Sequence, residues 1–128
     1  VGGNIVLDIV FYTLKTDLPH YYVEMSEDFY EWLAKSEFSK IGKSVTRSIS
    51  IDGEDEKLPV VELDRDIRQQ FRNFFRDVII WESDSVLAKL GDSPLKEQYQ
   101  AGTYRLRKLL DLLKCVENEN YQYLQRVI

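Results

Sequence analysis

Residues 64–90, read DRDIRQQFRNFFRDVIIWESDSVLAKL, hold the longest helical periodicity in the chain and four of its large aromatic side chains. Ile67, Phe71, Phe74 and Val78 recur at intervals of four, three and four, which places them on one face of a helix, with Phe75 and Trp81 flanking it. Asp64 suits the N-cap, and Asp66 falls in the first turn, where the helix dipole favours negative charge. A helix of this length must lay its apolar face on a sheet or on other helices. Ile79, Val86 and Leu90 lie roughly 100° around from the first stripe. The shift coincides with Glu82-Ser83-Asp84-Ser85, rich in residues that cap helices rather than propagate them. The pattern predicts a kink or short break there, with Ser83 or Asp84 capping a second piece and Gly91 ending it as a C′ residue.

The same helix carries Arg65, Arg68, Arg72 and Arg76, a row that projects roughly 125° from the phenylalanine stripe. One reading is a solvated shoulder, its guanidinium stems lying over core edges and pairing with nearby acids. The other is an anion-binding row for phosphate, carboxylate or nucleic acid, since arginine presents a bidentate fork.

Before the helix the pattern is that of strands. Residues 4–15, NIVLDIVFYTLK, are apolar on both alternating faces and rich in β-branched side chains, which predicts an interior strand covered on both sides. Asp8 interrupts one face and must lie near a rim or find a partner. Asp17 and Pro19 mark a turn, and residues 21–25 read as a hairpin partner. Ser26 starts a helix with Glu27 and Asp28 in its first turn; Phe29, Trp32 and Leu33 form its buried face, and Gly42 ends the region. Residues 43–51 alternate, with Val45, Ile49 and Ile51 on one side and hydroxyl residues on the other, as in a half-buried antiparallel strand. Asp52-Gly53 is a hairpin turn signal leading into residues 57–63, where Pro59 requires an edge or a bulge.

After the helix, Ser93-Pro94 suits the N-cap and N1 positions. Leu95, Tyr99, Gly102, Leu106, Leu109, Leu110, Leu113 and Val116 keep one face, predicting a continuous helix over residues 94–116 that pairs with the first as an antiparallel hairpin. Gly102 on that stripe suggests the close approach of another backbone. Tyr121, Leu124 and Ile128 read as a final helical turn or a continuation. The expected fold is a single α+β domain over residues 1–128: a four-stranded, mainly antiparallel sheet in ββαββα order, packed against a long C-terminal helical hairpin. Residues 1–3 read as a tag remnant or the cut edge of a longer chain.

Chemistry-bearing residues are sparse. There is one His and one Cys, far apart in sequence, and Cys115 sits at the margin of a leucine stripe, where a thiol acts as a small hydrophobe. Those two residues exhaust the usual nitrogen and sulfur ligands, so no metal and no cofactor is expected. No phosphate-cradling loop or nucleophile motif occurs, which disfavours an enzyme, a carboxylate-only site being the surviving catalytic alternative. The net charge of −5 opposes general nucleic-acid binding. A lone Cys, no opening signal pattern and no apolar run of membrane length point to a reducing, cytoplasmic setting and no membrane. What remains is surface recognition by a small acidic domain, of the immunity-, antitoxin- or nuclease-inhibitor-like type, with a partner protein of basic character. The acids of the turn, Asp52, Glu54, Asp55 and Glu56, supply the charge. Tyr21, Tyr22 and Tyr30 are the aromatic anchors expected beside the acids around the first helix start, unless they serve the core or a homodimer interface.

Overall fold

The computed structural model describes residues 7–126. Its elements run β1 (Leu7–Tyr12), β2 (Tyr21–Met25), α1 (Glu27–Lys35), a 3-10 turn (Glu37–Lys40), β3 (Ser44–Ile51), β4 (Glu54–Glu62), α2 (Arg65–Leu90), α3 (Lys96–Gly102), α4 (Tyr104–Glu117) and β5 (Tyr123–Gln125). One sheet has the strand order β2-β1-β5-β4-β3, and every neighbouring pair is antiparallel. The α+β expectation holds. The sheet has five strands instead of four, and the order departs from ββαββα because the last segment returns to the sheet.

That last segment is the main correction. Tyr121 and Leu124 have helical spacing, yet residues 123–125 form β5 (Ile128 lies outside the described residues). Leu124 is buried opposite both Phe11 and Val61, so β5 fills the space between the two hairpins. Two open strand edges, on β1 and β4, offer more backbone hydrogen bonds than one isolated helical turn can make for itself. Arg126 then anchors the strand. Its buried guanidinium donates to the carbonyls of Phe38 and Gly42 and lies over the rings of Phe38 and Phe71 at 5.4 and 5.7 Å. Gly42 is fixed by its own geometry: φ is +71°, and a Cβ there would come within 2.6 Å of Val61 Cγ1.

β1 is interior, as its two apolar faces require, with residues 4–6 of the expected strand outside the described residues. Ile9 and Phe11 face the helices, while Val10 and Tyr12 join Ile49 and Val60 in a smaller cluster on the other face. Ser26 Oγ accepts from Phe29 N to cap α1, and Asp64 Oδ1 accepts from Ile67 N at 2.8 Å to cap α2.

α2 is one unbroken helix of 26 residues, without the short break the sequence suggests. Ser83 Oγ donates to Ile79 O at 2.7 Å, so the hydroxyl is satisfied inside the helix and does not cap a new one. Its buried line is Phe71, Phe75 and Val86; Phe74 and Val78, expected in the core, are half-buried. The face that meets the sheet is therefore rotated toward Phe75. The C-terminal helix, expected to be continuous, is instead divided into α3 and α4 at Thr103. Leu95, not Ser93, occupies the N-cap position of α3, with its N–H donating to Gln98 Oε1 at 3.0 Å. Gly102 does meet a close neighbour, but that neighbour is the Leu90 side chain, 3.1 Å from where a Cβ would stand. On α4, Leu109, Leu112 and Val116 are buried, whereas Leu106 and Leu113 are half-buried and Leu110 is exposed. α2 and α4 run antiparallel, since the start of α2 meets the end of α4 (Arg68 to Val116) and its last turn meets Gly102.

Candidate functional site

The Asp52-Gly53 turn forms as its sequence requires. Both residues have positive φ, +53° and +83°, the type I′ geometry that matches strand twist. In a two-residue hairpin the end pair, Ile51 and Glu54, exchange hydrogen bonds, so Ser50, Ser48 and Thr46 point their backbone groups away from β4. Pro59 is opposite Thr46 and therefore turns its missing N–H away from β3. β5 pairs with β4 only at Val61 and Glu62, so no ladder bond is lost at Pro59 although β4 is an inner strand by order. The same short pairing leaves the distal hairpin projecting beyond the sheet. That is why Ile49 alone is fully buried on β3, a strand whose alternation predicts a half-buried face.

One side chain ties the projecting hairpin back. His20, between β1 and β2, accepts from Thr13 N–H at Nδ1 (3.1 Å), which assigns the ring proton to Nε2. Nε2–H then donates to Ser50 O at 2.8 Å, one of the outward-pointing carbonyls of β3. The His20 ring also packs edge-on against Tyr12 at 4.9 Å. Between loop and turn lies an open pocket of about 410 Å³, lined by Thr13, Leu14, Lys15, Leu18, Asp52 and Gly53 among others. Leu14 and Leu18 are exposed at its rim. Asp52, Glu54, Asp55 and Glu56 are all exposed and make no ion pair among the described residues. A single His and two leucines in or beside a turn-rich segment are the only sequence signals at this junction. Neither predicts contact with a strand thirty residues on.

The three tyrosines expected beside the acids separate. Tyr22 shares a sheet face with Val10, Tyr12, Ile49, Glu54 and Glu56. Burial pushes the Tyr12 phenol up to about 12, and the neighbouring Tyr22 and Glu56 add to the rise. Tyr21 lies on the opposite face, its ring 6.4 Å from that of Tyr121, and the Asp111 carboxylate raises its pKa. Tyr30 is on α1, half-buried against the main core.

The arginine row occupies one side of α2, but its members do different things. Arg68 donates from Nη1 to Val116 O and Asn118 O (2.6 and 3.2 Å) and from Nη2 to Leu63 O and Tyr121 O (3.0 and 2.8 Å). It thus closes the end of α4, the turn before β5 and the exit from β4 with one guanidinium. Burial lowers its pKa from the ordinary arginine value. Arg72 and Arg76 both reach Glu117 Oε2, at 3.5 and 3.0 Å. Arg65 makes no ion pair among the described residues, and it borders a wide depression with Arg68, Gln69, Arg72 and Glu119.

Cys115 is buried, and its thiol is pushed up to about 12 by that burial and by Asp111. A thiol so protonated is a poor nucleophile. Asp8 Oδ1 is shielded from solvent without a hydrogen-bond partner among the described residues. Among those residues no group of three or more His, Cys, Asp and Glu side chains could hold a metal ion, and no helix is long and apolar enough to cross a membrane. The fold and this junction define an antiparallel α+β domain that presents an acidic hairpin tip. Comparison with family models, with curated proteins and with solved structures finds no match to this chain.

Proposed function

We propose that the protein acts by stoichiometric binding to another protein, without catalysis, through the β3–β4 tip and the adjoining loop after β1. The observation that carries this reading is the state of the four turn acids: exposed, unpaired among the described residues, and beside a pocket rimmed by exposed Leu14 and Leu18. Unpaired carboxylates steer a basic partner and set orientation, while the leucines supply apolar contact area next to them. The partner is a protein with a basic surface, such as one that handles nucleic acid, and occupation of that surface makes the domain inhibitory in the manner of an immunity protein, an antitoxin or a nuclease inhibitor. Tyr22, on the face shared with Glu54 and Glu56, is the aromatic contact belonging to this surface. The test is affinity capture from the source cell with the intact chain and with Asp52, Glu54, Asp55 and Glu56 changed to Lys. A specific partner held by the first and lost by the second supports the reading. A partner indifferent to the reversal removes the tip from it.

A further inference from the structure

The arginine row of α2 takes no part in the hairpin tip, and its charges are not balanced one for one. Arg68 gives Nη1 and Nη2 to four carbonyls, which satisfy its donors without neutralising it, and it makes no ion pair among the described residues. Its pKa is lowered, first by burial; the field of Glu119 opposes that shift and the field of Arg72 adds to it, so both groups stand near. Arg72 and Arg76 share the single carboxylate of Glu117. The Arg72 contact is the looser one, 3.5 Å against 3.0 Å, and its Nε is shielded without a hydrogen-bond partner among the described residues. Arg72 Nη1 donates to Gln69 Oε1 at 2.6 Å. Arg65 is exposed and has no ion pair among the described residues.

Arg65, Arg68, Gln69, Arg72 and Glu119 line one open depression of about 580 Å³. Arg65 and Arg72 are seven residues apart, so they share one side of the helix and lie about 10 Å apart along its axis, with Arg68 and Gln69 between them. The lining selects the ligand. Three guanidiniums outnumber one carboxylate, and a guanidinium fork matches the oxygens of a tetrahedral oxyanion. No aromatic side chain lines the depression, so a nucleobase has nothing to stack on. A long polyanion would extend over a chain of net charge −5. A small phosphate dianion meets neither difficulty. Glu119 stands in its way, a carboxylate that partly offsets the arginines and competes with any anion that enters.

We propose that this depression binds a phosphate group, free or carried as a monoester on a small molecule, between Arg65 and Arg72, with Arg68 as the fixed cation behind it and Glu119 as the internal competitor. The test is a titration of the full chain with inorganic phosphate, followed by amide chemical shifts, at constant ionic strength held with chloride. Saturable shifts should centre on residues 65–72 and 119. Arg65→Gln and Arg72→Gln should each weaken binding by on the order of tenfold, and Glu119→Gln should tighten it, all with unchanged circular dichroism. Arg68 is left in place because the carbonyls it ties belong to the fold. A simple alkyl phosphomonoester separates the sources: tighter binding than inorganic phosphate assigns the site to a phosphorylated small molecule, and equal or weaker binding to the free anion. No saturable shift, shifts centred elsewhere, or an affinity that Arg65→Gln and Glu119→Gln leave unmoved overturns the proposal. A short single-stranded oligonucleotide that binds more tightly than either probe, with a steep loss on adding salt, overturns it in favour of nucleic acid. None of these variants touches the hairpin tip, so their results are independent of the capture experiment.

Discussion

The two hairpins of this sheet are built from the same antiparallel chemistry and end in opposite states. The β1–β2 hairpin pairs Leu7 through Phe11 with Met25 back to Tyr21, and β1 is covered on both faces. The β3–β4 hairpin pairs more residues, Ser44 through Ile51, but only Ile49, Val60 and Val61 in it are fully buried. The first gains from apolar burial on both sides; the second stands mainly on its own ladder, its I′ turn and one histidine. Isolated two-stranded ribbons are marginal in water. The distal half of that ribbon, with acids unpaired among the described residues, adds little apolar burial to the fold.

The largest expected effect falls on the covered side. Phe71 is fully buried and meets Phe38 and Phe75 at ring distances of 5.3 and 6.4 Å. Phe71→Ala should lower unfolding free energy by about 3–5 kcal/mol, measured by urea titration. A loss below about 1 kcal/mol would show that the helix-facing core is not the stabilising side of the comparison.

Arg68 comes next. It ties four carbonyls from three segments, and Arg68→Ala leaves the partly buried ones without a donor. We expect a loss of about 2–4 kcal/mol, and hydrogen exchange of β5 should rise with it. Loss of β5 protection without loss of β1–β2 protection would show that the join between the hairpins is a separate unit from the first hairpin.

Cys115 gives a test by pH. Its folded value of about 12 lies above the ordinary 9, so the unfolded thiol ionises first. The resulting stability is fully present below pH 9 and is lost as pH rises toward 12. Cys115→Ala should flatten that part of the alkaline decline, and the native thiol should react with a disulfide reagent only as the protein opens. Fast reaction at neutral pH in the native state would contradict its burial.

Much of this contrast is legible in the sequence, and the remainder is not for definable reasons. β1, the hairpin turns and the caps at Ser26 and Asp64 depend on local chemistry, and they form where that chemistry stands. Periodicity also gives α2 and its arginine row. It fails where tertiary contacts choose between near-equal local options. Ser83 can cap or back-bond, and inside a packed helix it back-bonds. Phe74 and Phe75 are neighbours of equal hydrophobicity, and only the position of Phe38 and the sheet decides which is covered. Residues 123–125 have no strong preference, and two waiting strand edges recruit them. The candidate site shows the same division. The acidic turn is written in four acids flanking a glycine, Asp52 before it and Glu54, Asp55 and Glu56 after it, while the His20–Ser50 contact depends on how far the hairpin curls back.

That contact carries the smallest and most selective prediction. His20 joins the two hairpins through one hydrogen bond from Nε2 to Ser50 O and one into Nδ1 from Thr13 N–H. Both roles require the neutral ring, since a protonated imidazole has no acceptor left for Thr13. His20→Ala removes both bonds and the edge-on contact with Tyr12 while leaving the helix-facing core intact. The expected cost is about 1 kcal/mol, little beside Phe71→Ala. Its location is the informative part. Amide exchange should rise over Ser44–Ile51 and Glu54 onward to the point where β5 begins to pair, and stay unchanged in β1 and β2. If the whole sheet loses protection together, the β3–β4 hairpin is part of the cooperative core and the contrast between the two hairpins fails. If β3 alone loosens, the acidic tip is held by a single removable clasp, and partner binding by the His20→Ala chain should weaken through loss of orientation, with every turn carboxylate still in place.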